Sequence, residues 1–77
     1  MQYAFVLIGV SDKRRIKEVL GNLRKLDQVV VARAVSGPYD IIVYLVAPDK
    51  NALGNCVVKN IRTIIPVSST MTYLVTD

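Results

Sequence analysis

An α+β fold, in which two helices cover one face of a four-stranded antiparallel sheet, is predicted by three features of this sequence. Apolar residues run almost without interruption over residues 3–10 and 41–47, as in short strands with both faces covered. Between and after these runs the apolar spacing becomes helical, at Ile16, Val19, Leu20 and Leu23 and again at Leu53, Val57, Ile61 and Ile64. The connection Ser36-Gly37-Pro38 then joins two runs of strand-forming residues as a β-hairpin. The resulting order is β-α-β-β-α-β, which with right-handed crossovers gives the ferredoxin-like arrangement.

The first strand, residues 3–10, is rich in β-branched and aromatic side chains and stops at Ser11-Asp12. Either of these two residues can cap the helix that follows, whose apolar stripe is separated by Lys13, Arg14, Lys17, Glu18 and Arg24. Strands two and three are expected at 29–35 and 39–47. Pro48-Asp49 ends the third strand and opens the second helix, which Gly54 and the adjacent Val57 and Val58 make weak in isolation, so packing must hold it. After Pro66, residues 67–76 alternate, with Met71, Tyr73 and Val75 on one face and Thr70, Thr72, Leu74 and Thr76 on the other.

Residues 1–77 form a single domain of a size that buries only roughly 60–65% of its unfolded surface, so a further source of burial is expected. Disulfides cannot supply it, since Cys56 is the one cysteine; with no histidine, the chain offers neither a zinc site nor a Cys/His nucleophile pair. No paired carboxylates and no phosphate-cradling glycine loop are present either, so no catalytic residue, metal or cofactor is assigned and no enzyme is expected. No apolar run approaches the ~20 residues of a membrane span, and Met1-Gln2-Tyr3 lacks the charged start of a secretion signal. A cytoplasmic protein with no membrane contact is expected.

Association supplies the missing burial. Two helices cover one face of the sheet, yet Phe5 and Leu7 lie opposite Ala4, Val6 and Ile8, and Ile42, Tyr44 and Val46 lie opposite Ile41, Val43 and Leu45. A contiguous face of that kind marks an interaction surface. Burying five such side chains contributes on the order of 10 kcal/mol before the entropic cost of association. The expected assembly is a homodimer joined sheet face to sheet face.

Two groups of polar residues remain. Asp40 stands at the mouth of the third strand, where an acid either closes the turn by accepting backbone hydrogen bonds or holds a ligand. Six of the ten Lys and Arg residues fall between Lys13 and Lys25, and the net charge is +4. Such a helix face is ordinarily solvated charge; nucleic-acid binding is the weaker reading, because no aromatic side chains stand between the cations to stack on bases.

The hairpin Arg33-Ala34-Val35-Ser36-Gly37-Pro38-Tyr39-Asp40-Ile41-Ile42-Val43, taken with Ile64-Ile65-Pro66-Val67-Ser68-Ser69-Thr70-Met71-Thr72, resembles the ligand-binding domain of the Lrp/AsnC (feast/famine) transcription regulators. The resemblance spans essentially the whole sequence and is to the stand-alone form, without a helix-turn-helix domain, so direct DNA binding is not expected. It implies sheet-to-sheet homodimers, often four to a ring (an octamer), with a small effector, usually an amino acid, between dimers. Carried over by motif, it implicates Gly37, Tyr39 and Asp40 of the hairpin and Ser69, Thr70 and Thr72 of the last strand. Free N–H groups at the glycine turn suit the effector carboxylate, Asp40 its ammonium, and the hydroxyls what remains. The sequence departs from the family at Ile65-Pro66-Val67, where Pro-Gly-Val is usual and one backbone donor is lost. With no DNA-binding domain, an effect on transcription implies a partner such as a full-length relative. A purely structural interaction module is the other alternative.

Overall fold

The computed structural model describes residues 1–77. Four strands, β1 (Gln2–Val10), β2 (Val29–Ala34), β3 (Ile41–Ala47) and β4 (Val67–Leu74), form one sheet in the order β2-β3-β1-β4, with every neighbouring pair antiparallel. Two helices complete the fold: α1 (Ile16–Arg24), entered through a 3-10 turn at Lys13–Arg15, and α2 (Lys50–Asn55), which continues as a π-helical segment over Cys56–Ile61. This is the ferredoxin-like arrangement expected from the order of the apolar patterns.

Strand register separates the two faces of the sheet. Ala4, Val6 and Ile8 of β1 pair with Leu45, Val43 and Ile41 of β3, and all six are fully buried. They form one core with Val19, Leu20 and Leu23 of α1 and Leu53, Cys56, Val57 and Ile61 of the second helical segment. The intervening pairs, Tyr3 with Val46, Phe5 with Tyr44 and Leu7 with Ile42, point to the other face, which no helix covers. Phe5 is 43% exposed and Tyr73 54%, and Val31 and Met71 are likewise exposed. Tyr44 sits among aromatic neighbours, with ring centroids 4.7 Å from Phe5 and 5.8 Å from Tyr3. The face is therefore apolar and continuous across all four strands.

The structure refines several boundaries. The hairpin connection occupies residues 35–40 rather than three residues, because Asp40 leaves the β2 ladder after a single bond from Val35 N–H to its carbonyl (2.9 Å) and instead donates its own N–H to Ile8 O (2.9 Å). Gly37 has φ +147°, a conformation that L side chains rarely adopt. Asp12 is the residue that caps α1's leading turn, its carboxylate accepting from Arg14 N–H at 3.1 Å. Asp49 caps α2 by accepting from Ala52 N–H at 2.8 Å. Ile64 lies beyond the last helical turn, which ends with Arg62 N–H donating to Val57 O at 2.9 Å, yet it still packs against the core. β2 carries an irregularity between Val29 and Val31, and β1 and β4 shift register between Gly9 and Val10.

Candidate functional site

At the end of the sheet where β1 runs into α1, Gly9 is flanked by Asp40 on one side and Ser69 on the other. Asp40 Oδ2 accepts from Val10 N–H at 2.8 Å and from the Lys13 ammonium at 2.7 Å, and Lys13 also donates to Val10 O at 2.9 Å. With its side chain 14% exposed, Asp40 closes the hairpin onto the end of β1. The Lys13 hydrogen bond, followed by that from Val10, holds the carboxyl below the usual aspartate range. Asp40 thus fills the turn-closing role, and its Oδ2 already has a cation from its own chain.

On the other flank, Ser69 pairs with Gly9 and its Oγ fills the space that a β-carbon at position 9 would need. The register shift leaves Ser68 as the extra residue of β4, and its hydroxyl donates to Gly9 O at 3.1 Å. Gly9 is the residue that sequence reasoning left without a role; its one signal is a lone glycine in a run of β-branched residues. Pro66 also helps to join these strands, since its carbonyl accepts from Ser11 N–H (3.0 Å) and the Ser11 hydroxyl (3.2 Å).

The other implicated residues divide between four places. Gly37 lies at the exposed tip of the hairpin, where the N–H groups of Ser36, Gly37 and Tyr39 donate to no group of the chain. Tyr39, half-buried, reaches over the open sheet face, its hydroxyl 3.9 Å from Met71 Sδ. Ser69 and Thr70 line a polar depression of about 200 Å³ together with Arg62, Val67 and Ser68. Thr72 stands apart, in an apolar groove of about 370 Å³ with Leu53, Gly54, Val57, Val58, Leu74 and Lys50. Five of the six residues therefore gather towards one end of the sheet, and Thr72, on the same helix-facing side of β4 as Thr70, lies further along the strand.

The basic helix is less available than its composition implies. Of the six cations from Lys13 to Lys25, Lys13 pairs with Asp40, Arg14 with Asp12 and Arg15 with Glu18, while Arg24 donates to Ala32 O at 2.7 Å. Four of the six thus have partners within the chain. Cys56 is buried in the core, and burial pushes its thiol pKa up, against a smaller lowering by Asn60. No helix is long and apolar enough to cross a membrane.

Residues 3–77 match the family model of the Lrp/AsnC ligand binding domain. The chain belongs to the Lrp/AsnC family. Its fold superimposes on that of AsnC from E. coli with a TM-score of 0.93 at 26% identity, covering 99% of this chain and 51% of AsnC. TTHA0845 from Thermus thermophilus is 30% identical with a TM-score of 0.93, and the match covers 100% of this chain and 95% of that one. The transcriptional regulator NMB0573 from Neisseria meningitidis, solved as an L-Met complex, shares the fold with a TM-score of 0.89 at 19% identity, over 99% of this chain and 50% of the regulator. The chain spans about half the length of AsnC. No curated protein sequence matches it. This Lrp/AsnC domain is accordingly a regulatory, effector-binding module and not an enzyme.

Proposed function

We propose that residues 1–77 act as one ligand-binding and oligomerisation domain that takes a small amino-acid effector and couples its binding to assembly. The observation that carries this reading is the grouping of unused polar groups at one end of the sheet. Three hairpin N–H groups and the hydroxyl of Ser69 lie at this end beside an uncovered apolar sheet face, and the hydroxyl of Thr70 lies on the helix side of the same stretch of β4. Donors that the fold itself does not consume suit the carboxylate of a zwitterion. NMB0573, which shares this fold, was solved with L-Met.

Assembly begins with a homodimer in which two open faces, each bearing Phe5, Tyr44, Val31, Met71 and Tyr73, cover one another. Further association of dimers, four to a ring, brings the ends of neighbouring sheets together, with Gly37, Tyr39 and Asp40 on one side of the effector and Ser69, Thr70 and Thr72 on the other. Binding and assembly are then linked: an effector that prefers one assembly state stabilises it, and assembly tightens binding by the same factor. The domain acts in the cytoplasm and co-assembles with a full-length Lrp/AsnC regulator. Direct nucleic-acid binding fits less well, because most of the cations from Lys13 to Lys25 are held within the chain.

A thermal-shift screen of the twenty amino acids, run beside light scattering, tests the proposal. At least one amino acid is expected to raise the melting temperature and change the assembly size at millimolar concentration. If none does either, a purely structural interaction module is the better description.

A further inference from the structure

The two charged groups that frame this end of the sheet differ in what they still have to offer. Asp40 is committed, since its Oδ2 holds both Val10 N–H and Lys13, and an incoming ammonium group must displace a cation already 2.7 Å away. Arg62 is not committed. It follows the last helical turn, is exposed, takes part in none of the three ion pairs, and its guanidinium donates no hydrogen bond within the chain.

Arg62 stands at the wall of the 200 Å³ depression whose other polar lining comes from Ser68, Ser69 and Thr70. Ser68 spends its hydroxyl proton on Gly9 O, whereas Ser69 and Thr70 make no side-chain hydrogen bond to the chain. The depression therefore combines one unpaired planar cation with the free hydroxyl donor of Thr70, while the Ser69 hydroxyl lies over Gly9 on the other face of the strand, and no acidic side chain lines it. A guanidinium fork with a hydroxyl beside it matches the two oxygens of a carboxylate. An ammonium group would meet like charge there.

We infer that Arg62, with Thr70, is the carboxylate-binding wall of the effector site, placing the anionic end of the ligand at β4 instead of at the Gly37 turn. This assignment rests on the amino-acid reading for the identity of the ligand, but the anion niche stands on its own geometry. It also gives specificity a direction: a ligand retaining its carboxylate is held, while the corresponding carboxamide is discriminated against.

The test follows the backbone amides of Ser68, Ser69 and Thr70 and the Arg62 Nε–H by NMR during titration with sodium acetate. Sodium chloride at the same ionic strength is the control, and the wild type is compared with Arg62→Gln and Arg62→Lys. In parallel, each amino acid that shifts the melting temperature is compared with its carboxamide. Acetate is expected to move the Ser68, Ser69 and Thr70 signals of the wild type and not those of Arg62→Gln, with Arg62→Lys in between. Arg62→Gln is expected to weaken the amino acid about 10- to 100-fold and to abolish the preference over the carboxamide. Unchanged circular dichroism of the variant excludes a folding defect. If an amino acid binds but moves only the hairpin amides, and Arg62→Gln binds it equally well, the carboxylate wall is wrong and the amino-acid reading survives. If acetate binds here and no amino acid does, the niche stands and the amino-acid reading falls. Equal shifts with chloride, or no shift with acetate or any amino acid, overturn the assignment.

Discussion

Lys13 and Asp40, 27 residues apart in sequence, meet at 2.7 Å, and both bond to the backbone of Val10, the carboxylate to its N–H and the ammonium to its carbonyl. Val10 is thereby held at both of its backbone polar groups. The last residue of β1, the first turn leading into α1 and the loop between β2 and β3 are tied into one corner.

Removing the acid should loosen that corner. Asp40→Ala leaves a part-buried Val10 N–H without its acceptor and is expected to cost about 1–3 kcal/mol in urea unfolding, with a smaller loss for Asp40→Asn, which keeps an acceptor oxygen. Lys13→Met removes only a cation whose side chain is 67% exposed and should cost less than about 1 kcal/mol.

The same carboxylate makes stability depend on pH in a defined direction. Its pKa is lower in the folded protein than in the unfolded chain, so the unfolded state binds the proton more readily. The contribution is complete above the ordinary aspartate pKa and is lost as pH falls through the depressed folded value. Unfolding followed through the acid range should show a stability loss for the wild type that is shallower in Asp40→Asn.

Gly9 should tolerate no side chain while Ser69 stays in place. A β-carbon at position 9 would press into Ser69 Oγ, so Gly9→Ala is expected to destabilise by about 1–3 kcal/mol. Ser69→Gly should relieve much of that cost in the double variant, and the coupling energy from a double-mutant cycle checks it.

Much of this was legible from residue patterns. The period-2 and helical stripes located all four strands and both helices, and apolar residues at odd and even positions of β1 and β3 foretold an uncovered sheet face. Less legible were features set by contacts between distant segments. Asp40 was readable as a turn acid or a ligand contact, and only its distance from Lys13 and Val10 shows which bonds it makes. Gly9 owes its role to a register shift opposite Ser68 and Ser69, which a local pattern does not encode. The π-helical segment also escaped notice, because Leu53, Val57 and Ile61 satisfy an ordinary helical stripe. Arg62 lay outside the basic cluster that composition drew attention to, yet it is a cation the fold leaves unpaired.

The open sheet face should respond to a charge at its centre. Tyr44 packs against Phe5 and Tyr3 on that face, and Tyr44→Asp places a carboxylate where the partner's apolar side chains would lie. Light scattering is expected to show a monomer with unchanged circular dichroism; a variant that remains a folded dimer would place the interface elsewhere.

The coupling of effector to assembly is tested most directly by light scattering of the purified domain, alone and with each of the twenty amino acids at millimolar concentration. A dimer is expected in the absence of effector at micromolar protein, with at least one amino acid shifting the distribution of larger assemblies. A monomer at that concentration, or an assembly size that no amino acid changes, would contradict it.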